Sequence, residues 1–542
     1  MVRCAAMDRE TASASPEGPP SLNRTRGTSL TPWLAATVVV ILRSLPFLRL
    51  AFGPRGSGGP FVLASYLPND WLVYVALVRQ SPPHGGLTLA NPFTTDLQDG
   101  RLVLLLHQAL NLIHRISGVD PFWLLELSRL PLTFAFFLVL WRLLGRMALN
   151  EGEKVWAVWL VALSGGLDWL ARLVIPILPS HVAETVTLQL SGLLGWNTFG
   201  ALWNPLWVAG MTLLLVFVTP LISPQPVERG IKRWWAVAVS FIALWCTHPY
   251  SGLAALVIVA GAWFACWLVR DPFPTGFVWR AGVAVATALL IVGALALWQV
   301  GDPVQRKVSG GVMGTQGWGA FWYPLTFAVP TILAVRHRSR WNEKLHSWGV
   351  ALVGWMGAIA WLHSSPVFGG AHFVGYLYLP LCILAAPGVA LAFDGLKRPG
   401  RVALLFALFT SPFALTWDSV RDAGSFRLPN GMDEVLSKLA LLPPGNVLAH
   451  EGPGNVLPAF APHRVYVGHA FMTPDYDARV ASADRALSGR DPTGLHEILA
   501  GNRIDYVVAP SAVGGMLVQQ LAGAVSGVRV VGPWTLILLT HQ

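Results

Sequence analysis

Apolar residues arrive along this chain in long runs separated by short polar stretches. Runs near 31–50, 121–141, 155–175, 202–222, 235–250, 251–269, 281–300, 320–335, 347–363, 375–393 and 402–417 stand out. Each approaches the ~20 residues that a helix needs to cross a ~30 Å hydrocarbon layer, which predicts about 11 transmembrane helices. The pattern changes after residue 417. Asn446-Val-Leu-Ala-His450, His463-Arg-Val-Tyr-Val-Gly468, Ile504-Asp-Tyr-Val-Val-Ala509 and Trp534-Thr-Leu-Ile-Leu-Leu539 are short apolar runs of strand type. Stretches near 431–442, 475–488 and 494–501 have helical spacing. Residues 418–542 therefore predict a small α/β domain, long enough for its own core. The segment 51–120 is too polar to face lipid throughout and too apolar to be a free loop. Helices over 68–80 and 101–116, lying on or dipping into the membrane surface, are its expected content. Residues 1–30, rich in Ser, Thr, Pro, Gly and Arg, read as a disordered cytoplasmic tail.

Composition strengthens this picture. Only 12% of the 542 residues are charged, about half the share in soluble proteins. The net charge of +10 sits in short clusters between apolar runs, with no basic stripe and no interleaved aromatics. Nucleic acid is therefore not a partner, and membrane lipids are. With the N-terminus inside, the inner loops carry Arg142, Arg146, Lys154, Arg229, Lys232, Arg233, Arg270, Arg280, Arg336, Arg338, Arg340, Lys344, Lys397, Arg398 and Arg401. The short outer loops after the first carry only Arg306 and Lys307. That asymmetry predicts a multi-pass protein of the cell (inner) membrane with its C-terminal domain outside. Three of the four cysteines, Cys246, Cys266 and Cys382, lie in apolar runs, and none has metal-site spacing.

Charges inside apolar runs are costly, about 2.5–3.5 kcal/mol each at a helix centre on insertion scales. Those present are Arg43, Arg49, Glu126, Arg129, Asp168 and Arg172. Glu126 with Arg129, and Asp168 with Arg172, are spaced to meet on one helix face. They are either self-neutralising structural pairs or the wall of a polar cavity. By the predicted topology all six lie in the outer halves of their spans. Asp70 and Tyr74, Asn91, Thr94, Thr95, Asp96, His248-Pro249-Tyr250, Asp302, Arg306, Lys307, His363 and His372 fall on the same side. The convergence predicts a functional site at the outer face.

Several of these stretches resemble bacterial GT-C-type membrane glycosyltransferases, in the broad dolichyl-phosphate-mannose/arabinose-transferase-like group. They are Asn69-Asp70-Trp71-Leu72-Val73-Tyr74 after the first span, Asn91-Pro92-Phe93-Thr94 with Asp96, and Thr247-His248-Pro249-Tyr250. Glu451–Ala459, Val465-Tyr466-Val467-Gly468-His469 and Thr473-Pro474-Asp475 complete the series in the C-terminal domain. The chain departs from the pattern near Gly369-Gly370-Ala371-His372-Phe373, where relatives often carry an arginine and this sequence has His372.

The resemblance implies sugar transfer from a polyprenyl-phosphate donor to a glycan, lipid or protein acceptor. It makes Asp70 the expected base, with Asp96 and Asp168 in reserve. Capping of a helix that opens at Pro68-Asn69-Asp70 is the structural alternative for Asp70. Arg43, Arg49, Arg306 and Lys307 are the expected phosphate contacts, with Tyr74, His248, Tyr250 and His372 lining the site. One carboxylate and several cations suffice, because phosphate is already a good leaving group. No cofactor is predicted, and a divalent metal is left open. A lipid-linked glycan flippase or transporter is the competing class, though no internal repeat is visible. A non-catalytic envelope assembly protein is another. Glu451-Gly-Pro-Gly-Asn455 reads as a tight Gly-rich turn without the lysine of a phosphate loop. His450, His463 and His469 are too loosely spaced to predict a metal.

Overall fold

The computed structural model of the chain describes residues 29–52, 68–80, 88–180, 198–223, 232–270, 275–311, 322–339, 341, 346–365, 373–421 and 428–540. Residues 1–28, expected to be a tail, and His372 lie outside them. Helices occupy every run expected to span. Among the described residues seven are long and apolar enough to cross a membrane: Thr31–Phe52, Pro121–Leu144, Pro205–Ile222, Pro249–Leu268, Gly276–Val300, Val374–Gly395 and Arg398–Arg421. Trp234–Thr247 and Phe327–Arg336 are shorter apolar stretches. The protein is thus a mainly α-helical membrane protein.

Local signals set the helix starts. Asp120 accepts from the Phe122 N–H, Asn204 accepts from Leu206, and Asn150 forms a reciprocal capping box with Glu153. Small residues let the helices approach. A Cβ added to Gly354 would lie 2.4 Å from the Gly261 carbonyl oxygen, and one on Gly261 would lie 2.4 Å from Ala358 Cβ. Gly261 with Ala265, and Gly354 with Ala358, are therefore facing small-xxx-small pairs joining the 249–268 and 346–364 helices.

The span expected over 155–175 is broken. The helix Glu151–Leu163 ends at Ser164, Gly166 turns with φ +76°, and a short helix Asp168–Val174 follows. The Gly165-Gly166 pair explains the break, since glycine adopts positive φ without a Cβ clash. The Gly165 N–H donates to the Leu408 carbonyl at 3.3 Å, which docks the turn on the last bundle helix.

The C-terminal domain carries five strands: β1 (Asn446–Leu448), β2 (Arg464–Val465), β3 (Tyr506–Pro510), β4 (Val525–Val531) and β5 (Trp534–Leu539). Their order is β2-β1-β3-β5-β4. The first three are parallel, and β5 and β4 add antiparallel to one edge. The four expected strands are present; β4 is additional. The expected turn at 451–455 is instead the start of a helix, Glu451–Phe460. Its glycines serve contact rather than turning: a Cβ on Gly454 would lie 2.0 Å from the Val467 carbonyl oxygen.

Helices Pro68–Arg79 and Leu105–Ser117 correspond to the two expected in the first long segment. The first is enclosed by other parts of the protein. Trp71, Leu72, Val73, Val75, Ala76, Leu77 and Val78 are all buried, in a core shared with Phe122, Leu125, Met432, Leu457 and Leu536. So many apolar positions around a single short helix require cover on all sides, and the C-terminal domain supplies it together with the 105–117 and 121–144 helices. The second helix buries His107, Leu110 and Asn111 and exposes Leu112, Ile113 and Ile116 on its opposite face.

Candidate functional site

Asp70 sits in the first turn of the 68–79 helix with its side chain 38% exposed. Its Oδ1 lies 3.3 Å from His469 Nε2, a residue of the C-terminal domain. One turn along, Tyr74 packs its ring on His107, with centroids 5.3 Å apart. Asn204, whose Oδ1 caps the 205–222 helix, donates through Nδ2 to Tyr74 Oη at 3.0 Å. Burial first, then the Asp70 and Tyr250 neighbours, push the Tyr74 phenol up, so it is a proton donor at neutral pH.

Next to Asp70, the Trp71 ring faces the Arg129 guanidinium at 5.3 Å. Arg129 is buried, pairs with Glu126 and donates to the Trp203 carbonyl at 3.1 Å. Arg43 is buried as well, and its charged neighbour is Arg129 rather than a carboxylate. Its Nε and Nη2 have no hydrogen-bond partner among the described residues. Two guanidiniums and one carboxylate leave this spot positive, an arrangement that favours an anion.

On the other side of Tyr74, the His248 ring stacks obliquely on Tyr250 and Trp207. His248 Nδ1 is 2.6 Å from Ser251 Oγ, which in turn meets Tyr376 Oη. Gly210 leaves room for this chain, since a Cβ there would lie 2.6 Å from Ser251 Oγ. The structure thus gathers Asp70, Tyr74, His248, Tyr250 and Arg43 into one region.

The other expected residues fall elsewhere. Asp96 Oδ1 is 2.5 Å from Arg479 Nη2, and the Asp96 carbonyl accepts from Arg464. This carboxylate fastens the first long segment to the C-terminal domain. Lys307 pairs with Asp475 at 3.1 Å, with both side chains exposed. Asp302, fully buried, accepts from the N–H groups of Asp99, Gly100 and Val304. Arg49 and Arg306 are exposed, and Asp168 opens its short helix. Among the described residues no group of three or more His, Cys, Asp or Glu side chains is placed to hold a metal ion.

Asn204, Ser251, Tyr376 and His469 join the region without having been expected there. Asn204-Pro205 carries a visible cap signal. Nothing in the sequence places residue 469 beside residue 70.

No family model and no curated protein matches the chain in sequence. Solved structures do match. ArnT from Cupriavidus metallidurans, bound to undecaprenyl phosphate, aligns over 95% of this chain and 100% of its own, with a TM-score of 0.51 and 13% identity. Its apo form aligns over 94% and 99%, with a TM-score of 0.50 and 13% identity. The chain shares the fold of ArnT. This is the GT-C-like architecture that the sequence resemblance implies. An oligosaccharyltransferase from Archaeoglobus fulgidus, tethered to an acceptor peptide, aligns over 93% of this chain and 74% of its own, with a TM-score of 0.45 and 13% identity.

Proposed function

We propose that this chain is a glycosyltransferase that moves a sugar from a polyprenyl-phosphate carrier to an acceptor hydroxyl at the non-cytoplasmic face. The observation that carries the reading is the pairing of a half-exposed carboxylate, Asp70, with a net-positive buried arginine pair beside the adjacent Trp71. A lipid carrier brings its phosphate to the edge of the hydrocarbon layer, where a buried guanidinium with no carboxylate partner among the described residues is otherwise hard to account for. The ArnT structure with undecaprenyl phosphate supports a carrier of this class.

In the transfer, Asp70 accepts the proton of the acceptor hydroxyl as its oxygen bonds to the anomeric carbon. The bond from that carbon to the phosphate oxygen breaks, and the electron pair leaves with the phosphate. Arg43 and Arg129 stabilise the charge that develops there. Tyr74, held protonated, offers a neutral donor near Asp70. The charge asymmetry of the loops supports an inside N-terminus and an outside C-terminal domain.

The test is transfer from radiolabelled polyprenyl-phosphate sugars by the purified chain in vesicles. Wild type should transfer label and Asp70→Asn should lose it by about 10²–10⁴-fold, the usual contribution of a positioned base, while still binding the donor. Movement of labelled lipid across the bilayer without transfer would instead identify a flippase.

A further inference from the structure

We propose that His469 positions Asp70, so that the C-terminal domain completes the transfer site. The role rests on the reading of Asp70 as the base. His469 Nδ1 accepts from the Phe471 N–H at 3.3 Å. In the neutral ring the proton is therefore on Nε2, which donates to Asp70 Oδ1 at 3.3 Å. Asp70 has no other side-chain hydrogen bond among the described residues. One carboxylate oxygen is held, and Oδ2 is left to receive the acceptor proton. His469 keeps its own proton throughout.

The loop that presents His469 is fixed before any substrate arrives. The N–H groups of Met472 and Thr473 both donate to the His469 carbonyl at 2.9 Å. Gly468 N–H donates to Thr473 Oγ1 at 3.1 Å, and that hydroxyl donates to the Phe93 carbonyl at 3.0 Å. Asn91 Nδ2 donates to the Met472 carbonyl at 2.6 Å. Gly468 has no room for a side chain, since a Cβ would lie 2.7 Å from Phe93 Cδ1. The imidazole sits between the rings of Phe93 and Phe471, at 6.2 and 5.7 Å. These contacts bind the loop to the same 88–104 segment that leads away from Asp70's helix.

A single hydrogen bond between a neutral imidazole and a part-exposed carboxylate adds little to folding stability. Its effect falls on orientation, where a misplacement of about 1 Å costs on the order of 10²-fold in rate. In the full chain in vesicles, His469→Leu should lower kcat by roughly 10–100-fold with the donor KM unchanged. His469→Gln, which keeps a donor at the same reach, should recover most of the loss. Leu and wild type transferring alike, or Gln and Leu falling equally, would overturn the role while leaving the transferase reading intact. A wild type without transfer from any polyprenyl-phosphate sugar would overturn both. A third measurement does not depend on how the Leu variant folds. Asp70→Cys combined with His469→Cys, in a Cys4→Ser background, should be bridged by a short bifunctional thiol reagent. Absence of that bridge also overturns the proposal.

Discussion

At the scale of single residues, two buried arginines that are electrostatic neighbours have opposite dependencies. Arg129 is compensated by Glu126; among the described residues Arg43 has no such partner. Glu126→Gln leaves a buried charge without its partner and should cost about 3–5 kcal/mol, read as a lowered melting temperature in detergent. Arg43→Met removes a cation whose charged neighbour is another cation. Its melting temperature should hold or rise, while the KM for a polyprenyl-phosphate donor increases about 10–100-fold, the worth of one hydrogen bond to a charged group. A different residue sets a pH limit. His107 is fully buried with neither ring nitrogen bonded among the described residues, and burial holds its pKa down, at about 4. The unfolded chain therefore takes up a proton below about 6.5 that the native chain refuses. Stability should fall as pH drops from about 6.5 towards 4, by up to about 3 kcal/mol, and stay flat above. Melting curves between pH 7.5 and 4.5 should show that decline in wild type and not in His107→Met. The residues legible in the sequence were those whose charge conflicts with their apolar surroundings, such as Arg43 and Glu126. His107 and His469 carry no such conflict in the sequence. Only the folded chain brings them against Tyr74 and Asp70.

At the scale of elements, hydrophobic length placed every bundle helix, because lipid imposes one requirement on all of them. Length alone did not reveal the break after Leu163, where two consecutive glycines interrupt an otherwise apolar run. The 451–460 helix was obscured for the converse reason. Glycine and proline normally punctuate, yet here Gly454 is small so that the helix can lie on the backbone of Val467. Two glycines two residues apart should accordingly respond with opposite signs. Gly454→Ala forces a Cβ into a carbonyl and should cost about 1–3 kcal/mol. Gly452→Ala meets nothing within 4 Å and should gain up to about 1 kcal/mol from helix propensity. Denaturant titration of the full chain, followed by proteolysis of the C-terminal domain, separates the two.

At the scale of the whole molecule, the first long segment is the adaptor between bundle and domain. Arg79 Nε donates to the Ala459 carbonyl at 2.6 Å, Thr95 Oγ1 meets Asn502, and Asp96 holds Arg479. This gives Asp96 a structural use distinct from the reserve catalytic one. Asp96→Asn should speed tryptic release of the C-terminal domain and lower transfer with it. The double variant Asp96→Leu with Arg479→Met should recover both, since it removes the stranded charge; a base at Asp96 would leave transfer abolished in the double variant.

Orientation is the remaining global property, and it follows from loop charge rather than from any contact within the chain. Cys246, Cys266 and Cys382 are buried, so a cysteine introduced into a Cys4→Ser background reports its own side of the membrane. Ser437 and Lys397 are exposed, the first in the C-terminal domain and the second between two bundle helices. With the basic loops inside, an impermeant maleimide should label Ser437→Cys in intact cells and Lys397→Cys only after permeabilisation. The reverse labelling would place Asp70 on the side where the positive loops were assigned. The transfer would then have to draw on a carrier facing the cytoplasm.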